Sequence, residues 1–438
     1  MSTARTLRIV LSAALTSALV AVPASCVVAS GPVPAPTPSS TENGTTSPSP
    51  RQSAQASPET RPRDVELTLL AAGDVLPHGP VNDSASGPAG IDYSPLLSGI
   101  DPWVARADLA LCHLESPVAP RGTPPSGYPV FAAPRELVRD LDEQGWDGCS
   151  TASNHAADAG YAGIAATLRA LDRAGMGHVG TARDRHESRS AQHYELRRDG
   201  RTVTVAHLAA TYDLNGYTAP GGDWSIDLID TGRIVRQAET ARAEGADLVV
   251  VSLHDGHEYV TEPTRDQRET TRALARSGQV DLVIGHHAHV PQPIEQLRGG
   301  PGGEGMWVAY GLGNLISNQG LDCCGTWASA VGLLLVADVV SPPRGAARVE
   351  EVRWAATTVD LAAGHRLRGT RDALAHPGRG QLTVPELRER LRLARDGAGT
   401  IAGEQRRPPE PGDDPPPRVL PGPSDPLTGQ RSASASSW

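Results

Sequence analysis

The chain has 438 residues, a formal net charge of −10 and an isoelectric point near 5.8. Its 40 basic residues are all Arg, because the sequence contains no Lys. An acidic balance of this kind excludes the basic face that nucleic-acid binding needs. It would also repel a polyanionic ligand unless a local positive centre met it.

The first element is an export signal. Arg5 and Arg8 precede the apolar run Ile9–Val22, which is short for a bilayer span, and the small residues Ala24 and Ser25 then lead to Cys26. Residues 1–26 are therefore expected to be a signal of the lipoprotein type, with Cys26 lipidated. Cleavage near Ala24 to a secreted product is the alternative. Residues 27–63 are dominated by Ser, Thr, Pro, Gly and Ala and bury too little apolar surface to fold, so they read as a tether. The expected place is the outer face of the cell membrane, reached by an N-terminal lipid, or the medium. Such places permit disulfides, and Cys112, Cys149, Cys323 and Cys324 allow three pairings.

From Val65 onward, short apolar runs alternate with amphipathic stretches such as Arg135–Gln144 and Gly163–Ala174. This alternation predicts a layered α/β domain over residues 64–340. The apolar runs share a habit. Leu67–Gly73 ends in Asp74, Leu109–Leu114 in Glu115, and the stretch after Trp146 in Asn154 and His155. Leu248–Leu253 ends in His254, Leu282–Gly285 in His286, His287 and His289, and Met306–Gly313 in Asn314. Sites of open α/β sheets gather at strand C-terminal ends. Carboxylates, a carboxamide and imidazoles together suit Mn, Fe or Zn at two adjacent ions better than Ca or a thiolate site. The cysteines are not spaced as a zinc ribbon. Beyond residue 340, an extension to residue 396 is expected to hold an edge strand over Val349–Val359 and an Arg-rich helix over Val384–Arg395. Residues 397–438, rich in Pro, Gly and Ser, are expected to be disordered.

The motifs AAGDVL (71–76), HLESPV (113–118), SNHAADAGYAG (153–163), VSLHDGHEY (251–259), GHHAHVPQPIE (285–295) and AYGLGNLI (309–316) follow one another in a recognisable order. Over roughly residues 66–340 the chain resembles the CapA-like proteins of poly-γ-glutamate capsule synthesis, which are similar to calcineurin-type metallophosphoesterases. The resemblance implies a sandwich of sheets flanked by helices with a two-metal centre at the strand ends. It assigns Asp74 to the first metal, Glu115 to the bridging position and Asn154 to the second metal. His155 would be the catalytic imidazole, and His254, His287 and His289 would complete the ligands. Two residues depart from the pattern: His113 stands where the family usually has Asn, and Leu76 where the wider superfamily has His. His113 faces the same way as Glu115 on an extended strand and reads as an outer group or an extra ligand. His78 is the nearest substitute for the missing His. Asp158 and Glu258 match acidic positions that orient ligand imidazoles, and Asn314 belongs near the site. The implied activity is two-metal hydrolysis within envelope polymer assembly, on an anionic polymer such as poly-γ-glutamate or on a phosphoester, beside membrane synthase components. The alternative is a non-catalytic polymer-binding factor, which would keep the metal ligands and have no need of His155.

Overall fold

Strand Val65–Val75 sends Leu67, Leu69 and Ala71 to one face of its sheet and Leu70 and Ala72 to the other, because successive side chains of an extended chain point oppositely. The first set packs against Leu248, Val250, Leu282 and Ile284 of a second sheet. The second set packs against Leu137, Val138 and Leu141 of helix Glu136–Gln144. On the far side, helices Thr231–Ala243 and Arg265–Ser277 lay Ile234, Ala238 and Leu274 over Val249, Val251 and Val283. Sheets buried on both faces need near-continuous apolar strands, and these strands have them. The computed structural model, which describes residues 64–412 and 414–422, is thus an α/β sandwich of two sheets with helices outside. The expected signal, Cys26 and the tether lie outside the described residues. Among the described residues no helix is long and apolar enough to cross a membrane.

In the first sheet Val65–Val75 runs parallel to Leu109–Leu114, which is parallel to Gly148–Ser150 and then Gly177–Val179. On its other side it pairs antiparallel with Val331–Ser341, followed by Arg348–Asp360 and Arg366–Gly369. In the second sheet Arg201–Thr211, Leu248–His254, Leu282–His286 and Met306–Ala309 are parallel neighbours. The parallel strands of both sheets end at the same edge, where Asp74 of one sheet meets His286 of the other. Helix Arg265–Ser277 shows how local sequence sets the returns: the Thr264 hydroxyl accepts the Gln267 N–H at its start, and Gly278 at φ 68° ends it.

Three expectations about the C-terminal half change. Met306–Gly313 is not one strand: Met306–Ala309 belongs to the second sheet, and after the crossing Asn314–Ile316 pairs with Val65–Val75 of the first. Arg348–Asp360 joins the sheet as expected but is flanked on both sides, so Val349–Val359 is not its edge. The helix does form, over Val384–Ala398. The tail expected to be disordered from residue 397 is described through residue 422 apart from 413. Gly403–Glu404 pairs with Arg353–Trp354, and Arg418–Val419 with Tyr194–Glu195. A Pro-rich segment that cannot build a core can still be ordered by main-chain hydrogen bonds to an open strand.

Of the three pairings, the structure takes Cys112–Cys149 and Cys323–Cys324. Cys112 and Cys149 are buried register partners on adjacent parallel strands. Their bond closes a loop with a sequence separation of 37, and the chain-entropy value for such a loop is about 4 kcal/mol. The C112A/C149A variant is expected to lose about that much stability in denaturant unfolding.

Candidate metal centre

Asp74 sits at the end of the first strand, fully buried, where its N–H donates to the Gly313 carbonyl at 2.9 Å. Its Oδ1 lies 3.1 Å from His286 Nδ1, and its Oδ2 accepts the His287 main-chain N–H at 3.1 Å and lies 3.1 Å from His289 Nδ1. Burial opposes ionisation of Asp74, but the hydrogen bonds from His286 and His289 win and hold its carboxyl well below the usual carboxylate range. Glu115, the residue after Leu109–Leu114, is the opposite case. It is fully buried, neither carboxylate oxygen has a hydrogen-bond partner, and burial pushes its carboxyl well above the usual range. His289 Nε2 and His254 Nε2 stand 3.6 Å and 3.7 Å from its Oε1.

His254 ends its strand with Nε2 2.9 Å from Asn154 Oδ1 and Nδ1 2.9 Å from His113 Nε2. His113 is held in turn by Ser150 Oγ at 2.8 Å and stacks on His286 with ring centroids 4.0 Å apart. Burial lowers the basicity of His113 and His254, and of His287 to about 3. The turn after Leu282–His286 places His287 and His289 at φ 84° and 55°, left-handed backbone that a non-glycine residue adopts at a cost. That turn is what folds the two imidazoles back over the carboxylates. Gly285 makes it fit: a Cβ there would meet the Tyr310 carbonyl oxygen at 1.9 Å. Gly285→Ala is expected to cost about 1–3 kcal/mol in denaturant unfolding, the usual range for forced overpacking.

Four sets of ligand atoms lie within 4.8 Å of one another: Asp74, Glu115 and His289; Glu115, His254 and His287; Asp74, His113 and His286; and Glu258, His287 and His289. The first two share Glu115. The five expected ligands Asp74, Glu115, His254, His287 and His289 all fall in them, and Asn154 joins through His254. The donor set is one that could hold divalent metal. A buried carboxylate without partners is costly unless a cation meets it. The site favours positive charge between its acids: against its own burial, His289, 3.1 Å from Asp74 Oδ2 and 3.6 Å from Glu115 Oε1, is drawn up to about 10.

His155 belongs to none of these sets. Its Nδ1 lies 2.8 Å from Asp158 Oδ2, which also accepts the Phe131 N–H at 2.7 Å. It borders a cavity of about 680 Å³ together with His289, His78, Phe131, Glu258 and Tyr259. Asn314 stands behind His289, its Oδ1 3.0 Å from the ring Nδ1 and its Nδ2 donating to the Ser329 carbonyl at 2.8 Å. Glu258 is exposed and meets the centre at its rim. His78, the nearest substitute for the missing ligand, enters none of the four sets and lines the cavity, with its Nδ1 2.9 Å from the Leu76 carbonyl and burial lowering it to about 4.

The sequence reading gave His286 no role beyond that of a strand-end imidazole. Parity held the missing signal, because Leu282 and Ile284 face the sandwich interior and residue 286 follows them. Tyr212, whose ring centroid is 4.6 Å from that of His287, and Asn215, 3.2 Å from the Asn154 amide, carried no sequence signal.

A family model described as "Bacterial capsule synthesis protein PGA_cap" matches residues 68–319. The capsule biosynthesis protein CapA of Bacillus anthracis is 25% identical over 283 residues, covering 62% of this chain and 64% of that protein. The PGA biosynthesis protein CapA of Bacillus subtilis (strain 168) is 30% identical over 188 residues, covering 42% and 46%. The chain therefore spans less than two thirds of either relative. Among solved structures, the NAD nucleotidase NadN of Haemophilus influenzae matches with a TM-score of 0.42 at 13% identity, covering 75% of this chain and 56% of that one. The calcineurin-like phosphoesterase YfkN of Bacillus subtilis matches with 0.40 at 11% identity, covering 76% and 97%.

Proposed function

The chain belongs to the bacterial capsule synthesis protein family, and from that premise we propose that it is an exported, metal-dependent hydrolase-like protein of envelope polymer assembly. The observation that carries this reading is Glu115, a buried acid with two unpartnered oxygens shared between two sets of ligand atoms. Asp74, Glu115 and His289 would hold one divalent ion, and Glu115, Asn154, His254 and His287 the other. Ions bound there would polarise a scissile group and lower the pKa of a water toward neutrality. Asp74 stays ionised through His286 and His289, and Asn314 fixes the orientation of His289. His155 supplies the proton: Asp158 holds its Nδ1 and fixes the ring, so Nε2–H can be given to a leaving group as bond cleavage proceeds.

The substrate would be an anionic envelope polymer such as poly-γ-glutamate, or a phosphoester, in keeping with the names of the relatives. Two disulfides support a place outside the reducing cytosol, with the sequence before residue 64 as signal, lipid anchor and tether. The test is turnover of phosphodiester and poly-γ-glutamate substrates by the Mn-, Fe- or Zn-loaded chain. Turnover is expected to vanish with chelator and return with the ion. A fully loaded chain that cleaves none of them would favour the non-catalytic binding factor. Asp158→Asn is expected to lower kcat by about 10–100-fold, the usual effect of losing the group that orients a functional histidine.

A further inference from the structure

The cavity beside the metal centre carries two sulfurs with no part in the proposed hydrolysis. Cys323 and Cys324, neighbours in sequence, are bonded to each other, and both line the cavity together with His155, Glu258 and His289. Cys323 is exposed and Cys324 half-buried. The other disulfide is the opposite case, since Cys112 and Cys149 are 2% and 0% exposed between adjacent strands. Thiol–disulfide exchange needs a thiolate to reach one sulfur, and exposed bonds are the labile ones.

A short run of contacts leads from the exposed pair to the metal centre. Cys323 Sγ accepts the Gly320 N–H at 3.3 Å. Gln319, the residue before, donates from Nε2 to the Tyr259 hydroxyl at 3.2 Å, and its Oε1 accepts Asn314 Nδ2 at 2.8 Å. Asn314 Oδ1 lies 3.0 Å from His289 Nδ1. The other end of the same loop also holds Asn314, because the Ser329 carbonyl accepts its Nδ2 at 2.8 Å. Joining adjacent residues through their sulfurs closes a small ring around one peptide bond. The oxidised turn therefore has few conformations to lose, and reduction releases them.

We propose that Cys323–Cys324 is a thiol–disulfide exchange site whose oxidation state sets how firmly Gln319 and Asn314 hold His289. The reductant is a dithiol. One of its thiolates attacks Cys323 Sγ, forming a mixed disulfide and releasing Cys324 as a thiolate that takes up a proton. The donor's second thiolate then attacks its own sulfur in the mixed disulfide and releases Cys323. The chain gains two electrons and two protons, and the donor leaves as its disulfide. The effect on His289 rests on the proposed metal centre; the exchange site does not.

Graded reduction of the full chain with dithiothreitol, quenched with iodoacetamide and read by peptide mass spectrometry, tests the exchange. Cys323 and Cys324 are expected to be alkylated together, at least about tenfold faster than Cys112 and Cys149. Equal rates, or a Cys323–Cys324 bond that outlasts the other, overturn the proposal. Mn affinity, measured after the reductant is removed, tests the coupling. The reduced chain should bind Mn about 3–10-fold more weakly, short of the 10–100-fold loss from deleting an outer partner of a ligand. Reoxidation should restore it, and the Cys323→Ser/Cys324→Ser variant should match the reduced chain whether or not it meets dithiothreitol. Equal affinity in both states overturns the coupling. An oxidised chain that binds no Mn sinks the metal reading and the coupling with it, while the alkylation rates still judge the exchange site.

Discussion

Glu115→Gln should invert the effect of metal on stability. In the wild-type chain Glu115 is fully buried and neither of its oxygens accepts a hydrogen bond, an arrangement that costs about 1–3 kcal/mol until a donor or a metal ion meets it. Glutamine keeps the volume and removes the charge. Under chelation the variant is therefore expected to be at least as stable as wild type. Saturating Mn or Zn should then separate them. An ion that binds only the folded chain stabilises it by about 2.7 kcal/mol at a hundredfold excess over its Kd, whereas the variant, with the shared ligand lost from both sets, should gain little. Thermal unfolding with and without the ion reads this directly. A variant that gains as much as wild type would mean that Glu115 holds no cation.

His155→Ala should do the reverse, leaving ion content and stability near wild type while kcat falls by about 10²–10⁴, the usual contribution of a positioned general acid. The geometry behind this is specific. His155 joins none of the four ligand sets, and Asp158 holds its Nδ1 on the cavity side of the centre. A proton donor matters most when the leaving group is poor, so the loss should concentrate on alkyl esters and be small for an activated aryl ester. An equal loss on both would point to a role in shape instead of proton transfer. Unchanged turnover on both would remove His155 from the chemistry.

The parts of this site that could be read in the sequence are those that a strand delivers. Asp74, Glu115, His254 and His287/His289 each follow an apolar run, and parallel strands that end at one edge must bring their tips together. Asn154 and His155 were legible through the same logic, one turn beyond Gly148–Ser150. What escaped depended on packing across sheets. His286 contacts Asp74 only because two sheets face each other, and His78 is turned onto the Leu76 carbonyl by a loop whose course no periodicity records. Asn314 begins a strand in the other sheet because the chain crosses at Gly313, where Asp74 donates to the carbonyl. The described part of the tail, through residue 422, departs from the expectation for a different reason. Composition reports what a segment can bury, whereas Gly403–Glu404 and Arg418–Val419 are held by main-chain pairing, to which composition is blind.

Ion counting by mass spectrometry on the purified chain, after equilibration with Mn, Fe and Zn and removal of loose metal, reaches the centre of the account. Two divalent ions per chain are expected in wild type, falling below half of that in the His287→Ala/His289→Ala variant. A folded wild-type chain that retains no divalent ion would contradict the metal centre and every catalytic role derived from it.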